Sequence, residues 1–328
     1  MKTLDYLKRL TLAFATVLLL FSCNNDDDDN IQRATQTIAE LASNTPNLSK
    51  LVSALQRANL VTTLDGSQQF TVFAPTNDAF DTFLSANNFA SIDDVPIDIL
   101  TQVLLNHVID GEFPSSNIFT GYGKTLATYS NTNLNLSLYL NTTSGLTING
   151  TSSVVTPNVD ATNGIIHIVN AVIDIPTIVT FATADPNFST LVNALTTLTP
   201  GTNFAEILSR TTGGNNDNIN PPFTVFAPLN SAFDALSAIP AEPELTQILL
   251  HHVVSGNISS GNLIPNDDTN ASSLHGDNLT ITLPGIGNNV AGLTDGSGNS
   301  DIGIVFVDVQ ASNGIIHIIN KVATPSSP

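Results

Sequence analysis

The chain has one cysteine, Cys23, no tryptophan, and nine Lys or Arg residues against 28 Asp or Glu. Each scarcity excludes something. A lone cysteine cannot close an intrachain disulfide, so the body of the protein is held by packing, and cysteine-based metal sites and thiol catalysis are excluded there. A formal net charge of −19 argues against binding a nucleic-acid backbone, which needs a Lys/Arg surface, and against electrostatic attachment to anionic lipid. Such acidity suits solubility outside a cell. With four Tyr, one of them Tyr6, aromatic platforms for sugar stacking are also scarce. The apolar run at residues 10–21 is shorter than the about 20 residues that span a bilayer.

What the chain does contain is itself twice. Thr71-Val72-Phe73-Ala74-Pro75-Thr76-Asn77-Asp78-Ala79-Phe80 returns as Thr224-Val225-Phe226-Ala227-Pro228-Leu229-Asn230-Ser231-Ala232-Phe233. Asn163-Gly164-Ile165-Ile166-His167 returns as Asn313-Gly314-Ile315-Ile316-His317. Pro46-Asn47-Leu48-Ser49 matches Pro186-Asn187-Phe188-Ser189, and His107 matches His252, in the same order. The period is far longer than the roughly 20–50 residues of solenoid repeats, so the repeated unit is a whole domain. The largest insertion falls at residues 210–222, rich in Gly, Asn and Pro, which is loop composition and cheap to accommodate.

These landmarks, twice in register, resemble the fasciclin-type domain, whose two signature blocks flank a Tyr-His element. The resemblance covers residues 31–175 and 177–323, leaving a short tail at 324–328. One departure is clear: the Tyr-His pair reads Asn106-His107 and His251-His252, so a role for that Tyr does not carry over. The resemblance implies an α+β fold of two tandem domains, each a wedge-like β-sandwich flanked by helices, and an adhesive rather than catalytic function.

Local patterns agree. Leu48, Leu51, Val52 and Leu55, with the copy Phe188, Leu191, Val192 and Leu195, have the spacing of an amphipathic helix. The first signature block reads as a strand ending at Pro75 or Pro228, followed by a helix for which Asn77 and Asn230 are the expected N-caps. Phe73, Phe80, Phe226 and Phe233 are expected in the core. His107 and His252 fall on apolar helical faces, with His251 turned about 100° away. Asn163-Gly164 and Asn313-Gly314 read as turns before a buried strand carrying His167 or His317. The very short junction at residues 175–177 predicts limited freedom between the domains.

The N-terminus has its own logic. Lys8-Arg9, the apolar run and Ser22-Cys23 read as a lipoprotein signal at residues 1–22, with Leu20-Phe21-Ser22-Cys23 resembling a lipobox. Cys23 is then the lipidation site, and residues 23–30, with four consecutive Asp, form an acidic tether. That tether resembles the export signal of Bacteroidetes-type surface lipoproteins, which would place the protein at the outer membrane.

Catalytic constellations are missing. No Gly-x-Ser-x-Gly elbow, phosphate-cradling loop or His-x-x-x-His spacing occurs. The six histidines are expected to be satisfied within the fold. Asp295, Ser297, Asn299 and Asp301 alternate oxygens as a calcium loop would, but position twelve, where an EF-hand needs Glu, is Phe306; a hairpin loop is the expected reading. Asp98-Ile99-Leu100 resembles an adhesion motif of animal family members, though its counterpart reads Glu242-Pro243-Glu244-Leu245. The sequence therefore predicts a non-enzymatic surface module without cofactor or metal. Its expected partner is an extracellular protein or polysaccharide, and its membrane contact runs only through the lipid. The alternatives are an accessory lipoprotein of an outer-membrane glycan-capture assembly and a metal-assisted hydrolase. Since loops carry binding differences on a shared scaffold, residues 210–222 and 263–301 are expected to make most partner contact.

Overall fold

In each repeat the helices come first and most strands last. The structure, a computed structural model, describes residues 34–130 and 132–326; the expected signal, Cys23 and acidic tether lie outside the described residues. The first repeat runs α1 (Ile38–Asn44), α2 (Ser49–Arg57), α3 (Val61–Leu64), β1 (Phe70–Pro75), α4 (Asn77–Ala86) and α5 (Ile97–Leu105). It continues as β2 (Val108–Asp110), β3 (Gly121–Thr128), β4 (Asn135–Asn141), β5 (Thr147–Ile148), β6 (Ser152–Ala161) and β7 (Gly164–Val169). The second repeat follows the same plan with α6 (Ile178–Ala184), α7 (Ser189–Thr196), α8 (Phe204–Ser209), β8 (Phe223–Pro228), α9 (Asn230–Asp234) and α10 (Glu244–His251). Its strands are β9 (Val253–Ser255), β10 (Asp268–Ser272), β11 (Asn278–Thr282), β12 (Ala291–Thr294), β13 (Ile302–Ala311) and β14 (Gly314–Ile319).

Each repeat forms one seven-stranded mixed sheet, ordered β2-β1-β7-β6-β5-β4-β3 and β10-β11-β12-β13-β14-β8-β9. The parallel pairs are β1 with β7 and β8 with β14; the other pairs are antiparallel. Strand β1 is buried along its whole length, as a central strand in a parallel pair should be. Phe70, Val72 and Ala74 face the helices and pack with Leu51, Leu55, Phe80, Leu100 and Leu104. Phe73 faces the other way, onto Leu138, Leu140 and Ile148 of the same sheet curled over it. The second copy repeats the division: Phe223, Val225 and Ala227 face helices, and Phe226 packs with Leu279, Ile281 and Leu293. Each fully buried Phe contributes about 1.5–3 kcal/mol of transfer free energy, which is how the fold holds without disulfides.

The described residues from Thr35 onward form one compact unit, and the two repeats share a seam. Tyr139 of β4 belongs to the core of the second repeat. Tyr122 donates to Asp185 Oδ2 at 2.9 Å and packs its ring against Phe181 and Phe306. The Ser137 hydroxyl, fully buried, accepts the Gln310 amide at 2.9 Å. Lys124 Nζ donates to the Asp308 carbonyl at 2.5 Å. Two of the chain's few tyrosines are thus spent on joining the repeats.

Candidate functional site

The two signature blocks, about ninety residues apart in sequence, are neighbours because β1 pairs with β7. The register sets Phe73 opposite His167 and Phe226 opposite His317. The rings of each pair lie 5.7 Å and 5.6 Å apart. His167 Nε2 donates to the Phe113 carbonyl at 3.0 Å, and Nδ1 accepts the Asn158 amide at 3.2 Å. His317 does the same with Ile258 and Asp308. Asn158 and Asp308 have positive φ and lie where the β6–β7 and β13–β14 registers slip. A bulged residue has no ladder partner for its amide, and the imidazole supplies one.

His107 and His252 stand just past the ends of α5 and α10 rather than within them. His107 Nδ1 donates to the Val103 carbonyl at 2.7 Å, and Nε2 accepts the Ile173 amide at 2.8 Å. His252 makes the matching bonds to Ile248 and Ala323, at 2.8 and 3.0 Å. Each ring satisfies a helix-end carbonyl that has no intrahelical donor. Burial pushes both imidazoles down to about 4, against the opposing pull of the backbone acceptor. Burial likewise lowers His167 and His317. These four histidines spend both ring nitrogens on main chain.

Asn77 and Asn230 do not cap the helices they begin, contrary to the sequence expectation. Thr76 caps α4 by accepting from the Ala79 amide at 3.2 Å, and α9 has Leu229 at its N-cap with no side-chain bond. Asn77 Oδ1 instead accepts the Lys50 amide at 3.0 Å while its Nδ2 donates to the Pro46 carbonyl. Asn230 treats Thr190 and Pro186 identically. Each Asn therefore caps a different helix, α2 or α7, whose own N-cap, Leu48 or Phe188, offers no side-chain acceptor. Helix spacing could place Asn at the right end of α4, but only the fold brings α2 beside it.

Asn163 is a three-way tie. Its Oδ1 accepts the Ile38 amide at 2.9 Å, and its Nδ2 donates to the Leu64 and Gly66 carbonyls at 2.8 Å each. Asn313 binds Ile178, Leu208 and Arg210 in the same way. Gly164 and Gly314 have positive φ and press against the backbone of Phe70 and Phe223. Phe80 and Phe233 are buried, and Pro75 and Pro228 close their strands.

The loops behave differently. The Asp295 carboxylate is buried and accepts from the Asn299 and Thr324 amides, the Asn299 side chain and the Thr324 hydroxyl, at 2.8 to 3.0 Å. The Ser297 hydroxyl donates to the Pro325 carbonyl at 2.6 Å, and Asp301 pairs with Lys321. These oxygens are taken up by residues 321–325, so the loop clasps that segment. Residues 211–214 and 216–218 are exposed, yet the loop is braced: Arg210 reaches Glu206, Asp217 and the Ile219 carbonyl. Asp98 and Ile99 lie in the first turn of α5, with Ile99 47% exposed. Helices α6, α7 and α8 enclose a pocket among Phe188, Leu191, Leu195 and Phe204 whose accessible lining is apolar.

A trio of metal-ligating side chains, His251, His275 and Asp277, lies close together. Sequence spacing gave no sign of it, because 24 positions separate His251 from the hairpin turn that carries the other two. The divergence of His251 from His252 along the helix was the available signal, since it turns His251 toward a different neighbour.

Fold and site together define a tandem pair of α+β modules whose repeated polar residues serve to fold each copy. The model of the fasciclin domain matches residues 46–176 and 186–325, and the chain belongs to the fasciclin family. Protein sll1483 of Synechocystis sp. is 32% identical over 137 residues, covering 42% of this chain and 72% of that one. Transforming growth factor-beta-induced protein ig-h3 of Sus scrofa is 28% identical over 319 residues, covering 91% of this chain but 39% of its own length. Cell surface glycolipoprotein MPB83 of Mycobacterium bovis is 44% identical over 92 residues, covering 26% of this chain and 40% of that protein. No helix among the described residues is long and apolar enough to cross a membrane.

Proposed function

We propose that this chain is a non-enzymatic binding module of the bacterial cell surface, contacting an extracellular protein or polysaccharide and held to the outer membrane by lipid on Cys23. The observation that carries the reading is the fate of the signature residues. In both copies their His and Asn side chains are consumed by main-chain partners, which leaves them no group to offer a substrate. Family membership supports it, since fasciclin domains are generally non-enzymatic adhesion modules. The similarity to a cell surface glycolipoprotein supports the lipid anchor, as does the Ser22-Cys23 ending of the apolar run.

The second repeat makes most of the partner contact in this reading. The first repeat crosses from α3 to β1 through residues 65–69, whereas the second crosses from α8 to β8 through the exposed, Arg210-braced loop at 210–222. An exposed loop already held by such contacts has less freedom to lose on binding. Binding of the chain from Asn24 onward to arrays of glycans and matrix proteins tests the proposal, beside a variant lacking residues 211–220. A saturable hit that weakens in the folded deletion variant is expected; no hit on either array, or full binding by the variant, counts against it.

A further inference from the structure

Most polar clusters in this molecule are closed: every ring nitrogen of His107, His167, His252 and His317 has a main-chain partner. The cluster at the end of α10 is not. His251 is fully buried at the last position of α10. His275 and Asp277 lie in the turn between β10 and β11, which is fixed by the Ser273 amide donating to the Asp277 carbonyl and by the Leu274 amide donating to the Val253 carbonyl. One ligand atom from each of the three lies within 4.8 Å of the others. His275 Nδ1 is buried and has no hydrogen-bond partner. It stands 3.5 Å from Asp277 Oδ2.

We propose that His251, His275 and Asp277 bind a divalent transition-metal ion of the zinc class. Two imidazoles and a carboxylate are the donor set that such an ion prefers over calcium, which takes six or more oxygens. Ligands about 2.1 Å from a tetrahedral ion stand about 3.4 Å apart, and the His275–Asp277 pair already has that separation. The two imidazoles meet edge to face, with centroids 6.0 Å apart and planes at 88°, so they approach one point without stacking.

The surroundings supply the outer contacts a metal site uses. His251 Nδ1 lies 3.0 Å from Ser273 Oγ, and its Nε2 accepts the Gly296 amide at 3.1 Å. Coordination takes one of these nitrogens, and the bond kept by the other orients the ring. Asp277 Oδ2 accepts the Ser326 amide at 2.6 Å, which holds the carboxylate in place. Asp295, though near, is occupied by its four donors and contributes charge rather than a ligand. The ion would clamp the end of α10 to the β10–β11 turn and, through Ser326, to the C-terminal segment. Among the described residues the first repeat has no such cluster: Asn106 stands where His251 does and spends its side chain on Ile173, Asp174 and Thr125. The clamp is therefore a device of the second repeat, the one with the longer loops to hold.

The test is calorimetric titration of zinc chloride into the chain after chelator treatment, paired with thermal unfolding with and without the ion. One equivalent should bind, and the unfolding midpoint should rise by several degrees through linkage. His275→Ala and Asp277→Asn, both in a surface turn, should unfold at the unliganded wild-type midpoint and lose both the saturable heat and the zinc-induced shift. Asp301→Asn, on the neighbouring loop, should keep both. No stoichiometric binding by the wild-type chain, binding that survives His275→Ala, or an equal response to calcium overturns the proposal.

Discussion

Gly164 lies so close to Phe70 that a Cβ on it would stand 1.9 Å from the Phe70 carbonyl oxygen, at a φ of 137°. Gly314 and Phe223 repeat the relationship at 2.1 Å and 155°. This contact lets the turn after Asn163 or Asn313 feed a strand directly alongside β1 or β8 in parallel register.

Gly164→Ala and Gly314→Ala should each destabilise their own repeat by more than about 3 kcal/mol, since backbone meets backbone and neither side can yield. Gly123→Ala is the matched control: a Cβ there meets the Leu138 side chain at 3.4 Å, an ordinary contact. Urea unfolding of the three variants checks this, and a Gly164→Ala midpoint equal to that of Gly123→Ala would sink it.

Asn163→Ala removes three buried or half-buried bonds and strands the Ile38 amide and two carbonyls. Leaving buried groups unsatisfied costs about 1–3 kcal/mol each, so a loss of about 3 kcal/mol is expected. Asn163→Asp should be no better, because a carboxylate would face the Leu64 and Gly66 carbonyls. Thermal melts of both variants decide it; rescue by Asp would show that only the acceptor matters.

The buried histidines predict acid sensitivity. His107 and His252 titrate near 6.5 when unfolded and at about 4 when folded. Between those values the unfolded chain binds more protons, so stability rises with pH. Their contribution is whole above about pH 6.5, drains as the pH falls, and is gone near pH 4, at up to about 3 kcal/mol per residue. Denaturation midpoints measured from pH 7 to pH 4 should fall through this window. His107→Asn should be less stable at pH 7 but show a shallower fall; an unchanged slope would contradict the assignment.

The seam between repeats should be energetically real. Ser137→Ala leaves the Gln310 amide without its partner, and Tyr122→Phe leaves Asp185 without the phenol. The double variant should lose about 2–4 kcal/mol. Differential scanning calorimetry should show the wild-type chain unfolding in one transition and the variant separating into two. A profile identical to wild type would mean the repeats are coupled by packing alone.

Much of this was legible in the residues. Apolar spacing marked α2, α5 and their copies, and the β-branched runs marked β1 and β7, because burial imposes periodicity on one segment at a time. The burial of His107 and His167 followed from their neighbours. What was not legible was partnership between segments. Asn77 looks like an N-cap of its own helix and caps α2 instead; Asp295 looks like the start of a cation loop and holds Thr324. The trio His251, His275 and Asp277 has no spacing signature at all.

The sequence by itself determined that there are two copies of one α+β domain, that no disulfide holds them, and which helical and strand faces are apolar. Those follow from repetition, composition and local hydrophobic pattern, which are properties of the chain alone. Tertiary structure decided which polar atoms meet. A hydrogen bond or a metal site needs atoms within about 3 Å, and the parallel pairing of β1 with β7, the curl of each sheet and the seam at Tyr122 and Ser137 set those distances between residues far apart in the chain.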